Sequence, residues 1–248
     1  MDIVFLAAGM GTRLSKAKLK HKCLLKVYKK SLIMNLVENA VKSNIKNINI
    51  VTGHNGEYIE KHFKNLKHLE IKFIKNNNYK TSNISYSIYL ALLSTPKHND
   101  LLISYSDIYY KKSLLKLINK KKGDKILLPV LLKWNIVWNY RKENILEDAE
   151  NLATKRNYVT EIGGKISNIS DVKYQYMGLI FIPKNLKKKI VKFIKIKKLN
   201  KLDGTKLINK LINNKFDVKI LKYNGPWYEF DKGKDKKNFA RYIKNYSL

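Results

Sequence analysis

Apolar residues fall along this chain in short bursts separated by polar, glycine-punctuated breaks, and the spacing inside each burst sets the element it predicts. Residues 2–6 form a continuous apolar run of strand length that ends in Ala7-Ala8-Gly9-Met10-Gly11, a strand followed by a glycine loop. Over 31–43 the apolar positions Leu32, Ile33, Leu36, Val37, Ala40 and Val41 recur at helical spacing, and Ser31 stands where a cap is needed. The alternation continues with a strand over 45–52, a helix over 55–66, a strand over 69–74, a helix over 85–94 and a buried strand over 101–105 that closes on Ser106-Asp107. Beyond a helix over 112–120 the pieces shorten: strands over 126–133, 151–154, 158–162 and 175–182, helices over 183–197 and 203–213, a strand over 217–221 and a closing helix over 234–245. The stretch 134–150 is aromatic and acidic with little periodicity and reads as a loop with a short helix near the site.

Strands alternating with helices imply an α/β, Rossmann-like fold, a mostly parallel mixed sheet with helices on both faces and ligands at the carboxyl ends of its strands. Asp107 lies at such an end. No internal repeat and no Pro/Gly-rich linker divides the chain, so residues 1–248 read as a single domain, a length sufficient for one α/β core. The apolar runs fall far short of a membrane span. Asp2, with no basic leader before the first apolar run, argues against a secretory signal, and the single cysteine, Cys23, excludes an internal disulfide; both fit a cytoplasmic protein.

Charge changes the picture less than its size suggests. The 51 Lys+Arg against 19 Asp+Glu give a formal net charge of +32, yet the only arginines are Arg13, Arg141, Arg156 and Arg241. Nucleic-acid binders lean on arginine for bidentate contacts, and a functional patch is localised, whereas these lysines are dispersed. A nucleic-acid partner is therefore disfavoured. Against so basic a background the few acids become the informative residues.

The loop Gly9-Met10-Gly11-Thr12-Arg13 can turn its backbone N–H groups towards phosphate oxygens, although a tight structural turn explains the two glycines about as well. It lacks the third glycine of the dinucleotide fingerprint, and Gly163-Gly164-Lys165-Ile166 is no Walker loop, because Ile166 replaces the hydroxyl residue. Asp107 alone could cap a strand end, and Asp231 could cap the last helix. His21, His54, His62, His68 and His98 show no metal-ligand spacing and read as surface residues; Cys23 reads as a small packed residue.

Taken together, Leu6-Ala7-Ala8-Gly9-Met10-Gly11-Thr12-Arg13-Leu14, Lys22, Asp107 and Glu229-Phe230-Asp231 resemble the signature of the nucleotidyltransferase superfamily. Arg141 with Asp148-Ala149-Glu150, Glu161-Ile162-Gly163, Gln175-Tyr176-Met177-Gly178-Leu179, Asp203-Gly204-Thr205 and Trp227-Tyr228-Glu229 are similar to cytidylyltransferases of phosphocholine, 2-aminoethylphosphonate and other amino-bearing phosphates such as phosphoglutamine. The likeness covers nearly the whole chain. Two departures stand beside the functional positions: His21 where the superfamily usually has proline before the lysine, and Ser106 where glycine usually precedes the first acid.

The resemblance implies a nucleotide-diphospho-sugar transferase type of fold, with a nucleotide-binding part over about residues 1–125 and an acceptor-binding part, carrying the second metal-ligand position, over about 126–248. It implies CTP and a small phosphorylated acceptor as substrates, giving a CDP-linked product and pyrophosphate, and it leaves a homodimer open. Magnesium, or manganese, would sit at Asp107 and Asp231, with Glu229 as a further ligand or its hydrogen-bonded support. Arg13 would grip the leaving phosphates bidentately and Lys22 would place a point charge near the α-phosphate. For the base, Ala7, Ala8 and Gly9 backbone groups with Asn83 or Ser87 are the candidates, alongside a helix cap by Asn83 or Ser85. For the acceptor amine, Asp148 and Glu150 near Trp134, Trp138 and Tyr140 are expected, with Arg141 and Lys165 at its phosphate; a solvated acidic loop or aromatic core is the competing reading. A sugar-1-phosphate nucleotidyltransferase shares the loop, lysine and acids. A basic nucleic-acid-binding protein on an inactive scaffold is the alternative from another class.

Overall fold

The computed structural model describes residues 1–11, 20–66, 69–141 and 144–245. In chain order the first half carries β1 (Asp2–Ala7), the hairpin β2 (Lys26–Val27) and β3 (Lys30–Ser31), α1 (Leu32–Val41), β4 (Ile48–Thr52), α2 (Gly56–Phe63), β5 (Ile71–Lys75), α3 (Ile84–Ser94), β6 (Leu101–Tyr105), β7 (Ile108–Tyr110), α4 (Lys112–Lys121) and β8 (Ile126–Leu131). The second half carries α5 (Trp134–Arg141), α6 (Ile145–Asp148), β9 (Leu152–Lys155), β10 (Tyr158–Ile162), β11 (Gln175–Tyr176), β12 (Leu179–Ile182), α7 (Lys184–Ile196), α8 (Gly204–Asn213), β13 (Val218–Tyr223), β14 (Trp227–Glu229) and α9 (Asp235–Asn245).

The main sheet runs β5-β4-β1-β6-β12-β8-β13-β10-β9, with β11 added against β8. The expected mixed α/β sheet is present. Its parallel part is β5-β4-β1-β6 and the pair β8-β13, whereas β12, β11, β10 and β9 pair antiparallel. Strand β1 sits near the middle of the parallel part and is apolar without alternation because both its faces are covered. Ile3 and Phe5 pack into the core that holds Leu32, Leu36 and Val37 of α1, and Val4 packs into the core that holds Ile88, Ala91 and Leu92 of α3. Ser31 caps α1 through a bond from the Met34 N–H, as its position in the sequence predicts.

Three local readings are corrected. The stretch 134–150 is mostly helix: Trp134, Val137, Trp138 and Arg141 form the buried face of α5 at helical spacing, and an arginine in the fourth place hides that spacing from a hydrophobicity pattern. The single strand expected over 175–182 is broken at Gly178, whose φ of +74° turns the chain so that β11 pairs with β8 while β12 pairs mainly with β6. The histidines are not uniformly on the surface. His21 is buried, whereas His62 is exposed as read, with its Nε2 2.8 Å from the Ser31 hydroxyl. His68 lies outside the described residues. Cys23 is wholly buried, as read, and burial pushes its thiol pKa up. Among the described residues no helix is long and apolar enough to cross a membrane.

Candidate active site

The site is assembled at the carboxyl end of β6 by a small second sheet that the sequence pattern does not announce. β7 pairs antiparallel with β14, setting Glu229 opposite Ile108, and Phe230 donates its N–H to the Asp107 carbonyl at 2.9 Å. Asp107 precedes β7, and Glu229 and Asp231 close β14. Their carboxylates therefore converge, with one oxygen from each within 4.8 Å of the others. Asp235, buried at the start of α9, accepts the N–H groups of Asp231 and Lys232 at 2.7 Å each and fixes the turn that presents Asp231.

Lys22 reaches this cluster from the other side. Its Nζ lies 2.7 Å from Asp107 Oδ2 and is also paired with Asp231. Burial opposes the ammonium charge, but Asp107, Asp231 and Glu229 outweigh it and raise the lysine pKa above its ordinary value. Burial and the Asp231 charge push Glu229 up to about 7, against the pull of Arg141. The two departures from the superfamily pattern both have structural uses. His21 accepts the Cys23 N–H on Nδ1 at 3.2 Å and caps the 3-10 turn over Lys22–Leu24, orienting the lysine that a proline would otherwise position. Ser106 donates its hydroxyl to the Leu6 carbonyl at 2.7 Å and ties the end of β6 to the end of β1.

Two cavities meet at this cluster. The first, of about 410 Å³, is lined by Leu6, Ala7, Ala8, Gly9, Gly11 and Lys22 on one side and by Asn83 and Ser87 on the other. Every described candidate for nucleotide binding is among its lining residues. Thr12 and Arg13 lie outside the described residues. Asn83 Oδ1 accepts the Ile84 N–H at 2.8 Å and caps α3, so the capping and the cavity-lining readings hold together. Ser87 is bonded to Asn76 at 3.2 Å. Ser82, within the 81–87 stretch that the resemblance points to for the base, and His21 also line this cavity, as do Asn76 and Tyr79, which escaped the sequence reading, since lone polar residues on loops carry no pattern.

The second cavity, of about 520 Å³, is lined by Asp148, Glu150, Lys165 and Trp138 of the acceptor candidates, together with Tyr105, Tyr176, Asp203, Thr205 and Trp227. Tyr105, Ile84 and Asp231 line both cavities, so the carboxylate cluster stands at the junction. Arg141, expected at the acceptor phosphate, is instead buried behind the cavity at 1% exposure. Its guanidinium bonds the Glu229 carbonyl at 3.1 Å, pairs with Asp148 at 3.2 Å and lies 5.4 Å from the Trp138 ring centre. A planar fork held between two carboxylates is a strut rather than a free phosphate ligand.

A glycine loop at the end of the first strand, a lysine ringed by three carboxylates and a cavity on either side of them define the nucleotidyltransferase class. Residues 3–156 match the MobA-like NTP transferase domain, and the chain belongs to that family. Over 246 residues it is 28% identical to a CTP:phosphoglutamine cytidylyltransferase of Campylobacter jejuni, across 93% of this chain and 96% of that one. Among solved structures, the inositol-1-phosphate CTP transferase from T. maritima superposes with a TM-score of 0.78 at 17% identity, covering 100% of this chain and 98% of that one. The CTP:phosphocholine cytidylyltransferase from Streptococcus pneumoniae superposes with a TM-score of 0.70 at 20% identity over 98% of both chains. These two likenesses are likenesses of fold.

Proposed function

We propose that this NTP transferase is a cytidylyltransferase that moves CMP from CTP to a small amino-bearing phosphate or phosphonate, with magnesium or manganese held by Asp107, Glu229 and Asp231. The observation that carries the reading is the junction itself, where Lys22 and three carboxylates separate a loop-lined cavity from an acidic, aromatic one. Kinship along almost the full length of an enzyme named for CTP and phosphoglutamine supports the base and the acceptor type. The product would serve surface polysaccharide or lipid decoration, and the cytoplasm, where a single unpaired cysteine is unremarkable, is where the chain would act, as a monomer or a homodimer.

The donor set suits a hard divalent cation. Three carboxylates converge, and Asp107 Oδ1 is buried with no hydrogen-bond partner, an arrangement that leaves an oxygen for a further cation. Such an ion, when bound, supplies Lewis-acid neutralisation of phosphate charge. The remaining work falls to the chain. An acceptor phosphate oxygen attacks the α-phosphorus of CTP and forms a new P–O bond. The bond from the α-phosphorus to the bridging oxygen breaks, and pyrophosphate leaves with the electron pair on the opposite side. Gly9 and Gly11 present backbone N–H groups to the triphosphate, Arg13 grips the leaving phosphates, and Lys22 neutralises the α-phosphate as it passes through the transition state. Catalysis is then mostly positioning and charge.

Pyrophosphate release tests the reading. With the four NTPs offered against amino-bearing phosphates and sugar 1-phosphates, release is expected with CTP and an amino-bearing acceptor and is expected to vanish with chelator. Release confined to UTP or GTP with a sugar 1-phosphate would assign the chain to sugar-nucleotide synthesis instead. Steeply salt-dependent nucleic-acid binding without any release would return it to the non-enzymatic class.

A further inference from the structure

The second cavity holds three acids apart from the cluster at the junction, and they are not equivalent. Asp148 is spent on Arg141, 3.2 Å away. Asp203 caps α8 through the Lys206 N–H at 2.8 Å and pairs with the Lys206 ammonium at 3.0 Å. Glu150 differs from both. In a chain with 51 basic residues, no basic side chain among the described residues pairs with it, and its side chain accepts only a 3.5 Å contact from the Thr205 hydroxyl. Its backbone is nevertheless held firmly, because the Gln175 amide accepts the Glu150 N–H at 3.2 Å and donates to the Glu150 carbonyl at 3.0 Å. A half-buried carboxylate fixed in place without a counter-charge is costly unless a ligand brings one.

The form of the missing cation follows from what surrounds it. The acids of this cavity do not bring three oxygens together as Asp107, Glu229 and Asp231 do, so a second metal is disfavoured. The aromatic rings of the cavity are paired with one another rather than set around an open space as a quaternary ammonium cage would be. Trp138 stacks on Trp227 at 6.2 Å and 12° and faces the Arg141 guanidinium, and Tyr105 meets Tyr176 edge-on at 6.2 Å. What remains to greet a cation is a set of hydrogen-bond acceptors, Glu150 and the Thr205 hydroxyl, which match N–H donors and have nothing to offer methyl groups. Trp138, 4% exposed, also lines the cavity, with its indole N–H buried and without a hydrogen-bond partner.

We infer that the acceptor carries a primary ammonium which Glu150 binds, and that Glu150 sets the preference for this group over a quaternary ammonium. The inference rests on the cytidylyl-transfer reading above. It is tested by measuring kcat/KM with CTP for phosphoethanolamine, 2-aminoethylphosphonate, O-phosphoserine, phosphocholine, ethyl phosphate and glucose 1-phosphate, in wild type and in Glu150→Gln. At least one primary-ammonium acceptor is expected to exceed phosphocholine and ethyl phosphate by about tenfold or more, the range of a charge-assisted hydrogen bond. In Glu150→Gln that advantage should shrink to about threefold or less through acceptor KM, with CTP KM unchanged, and Glu150→Asp should recover part of it. Phosphocholine turned over as well as phosphoethanolamine, or a preference unmoved in a folded Glu150→Gln, would overturn the inference and leave cytidylyl transfer standing. Turnover confined to glucose 1-phosphate, or to a nucleotide other than CTP, would overturn both.

Discussion

Phe230 donates its backbone N–H to the carbonyl of Asp107 at 2.9 Å, and this one bond stitches the end of β14 to the turn after β6. It extends the β7–β14 ladder by one rung, and together they fix two acids far apart in sequence. Asp107 and Asp231 close on Lys22 from either side. Four consequences can be measured.

Lys22→Met should lower the rate of pyrophosphate release by about 10²–10³-fold, the size of effect seen when one donor to a developing oxyanion is removed. The same change strips three carboxylates of their shared cation. Stability should fall by about 1–3 kcal/mol, less than for a fully buried pair because the site is partly open to water. Added magnesium should restore much of that loss in the variant and little in wild type. Thermal unfolding with and without the ion checks it.

Arg141→Met should destabilise the protein by about 3–5 kcal/mol, since it removes a buried guanidinium and leaves Asp148 and Glu229 facing its place. Arg141→Lys should recover under half of this, because a single ammonium cannot fork between two carboxylates. Urea unfolding of the three proteins gives the comparison directly.

His21 gives the fold a pH dependence whose sign is fixed by its surroundings. Burial, with His54 nearby, lowers its pKa from 6.5 to about 4. Between those values the unfolded chain binds the proton and the folded chain does not, so the folded state loses stability as pH falls from about 6.5 to about 4 and keeps it in full above that window. The loss reaches about 3 kcal/mol. The stability advantage of wild type over His21→Asn should therefore narrow by that order between pH 7 and pH 4. An advantage that stays constant across denaturation curves at pH 7, 5.5 and 4 would show that His21 does not titrate in this way.

Gly204 begins α8 beneath the Tyr105 ring, and a methyl group there would collide with the Tyr105 hydroxyl. Gly204→Ala should cost about 1–3 kcal/mol, because Tyr105 is packed from the other side by Gly178 and has little room to retreat. Tyr105→Phe removes the colliding atom. The double variant should then be more stable than Gly204→Ala alone, a non-additivity that a cycle of the four proteins would reveal. Strict additivity would place the collision elsewhere.

The β-α alternation and the glycine loop were legible in the sequence by itself, because each rests on a local period or a short run of residue types, whereas Lys22, Asp107, Glu229 and Asp231 stood out only through the resemblance of the whole set to a known signature. Strand β1 and helix α1 fall where their apolar spacing puts them, and Ser31, the cap of α1, is three residues from the N–H it accepts. Tertiary structure decided the rest. β7 and β14 are three residues each and exist only because they pair with one another, so neither has a signature of its own. Arg141 reads as a phosphate ligand by residue type; only packing reveals that two carboxylates already occupy it. The same holds in reverse for Glu150, which looks like Asp148 in sequence and differs from it because no basic side chain of the described fold comes to meet it. Charge pairing is a property of distance, and for these residues distance is set by how their elements pack, Arg141 reaching both Asp148 seven residues on and Glu229 far along the chain.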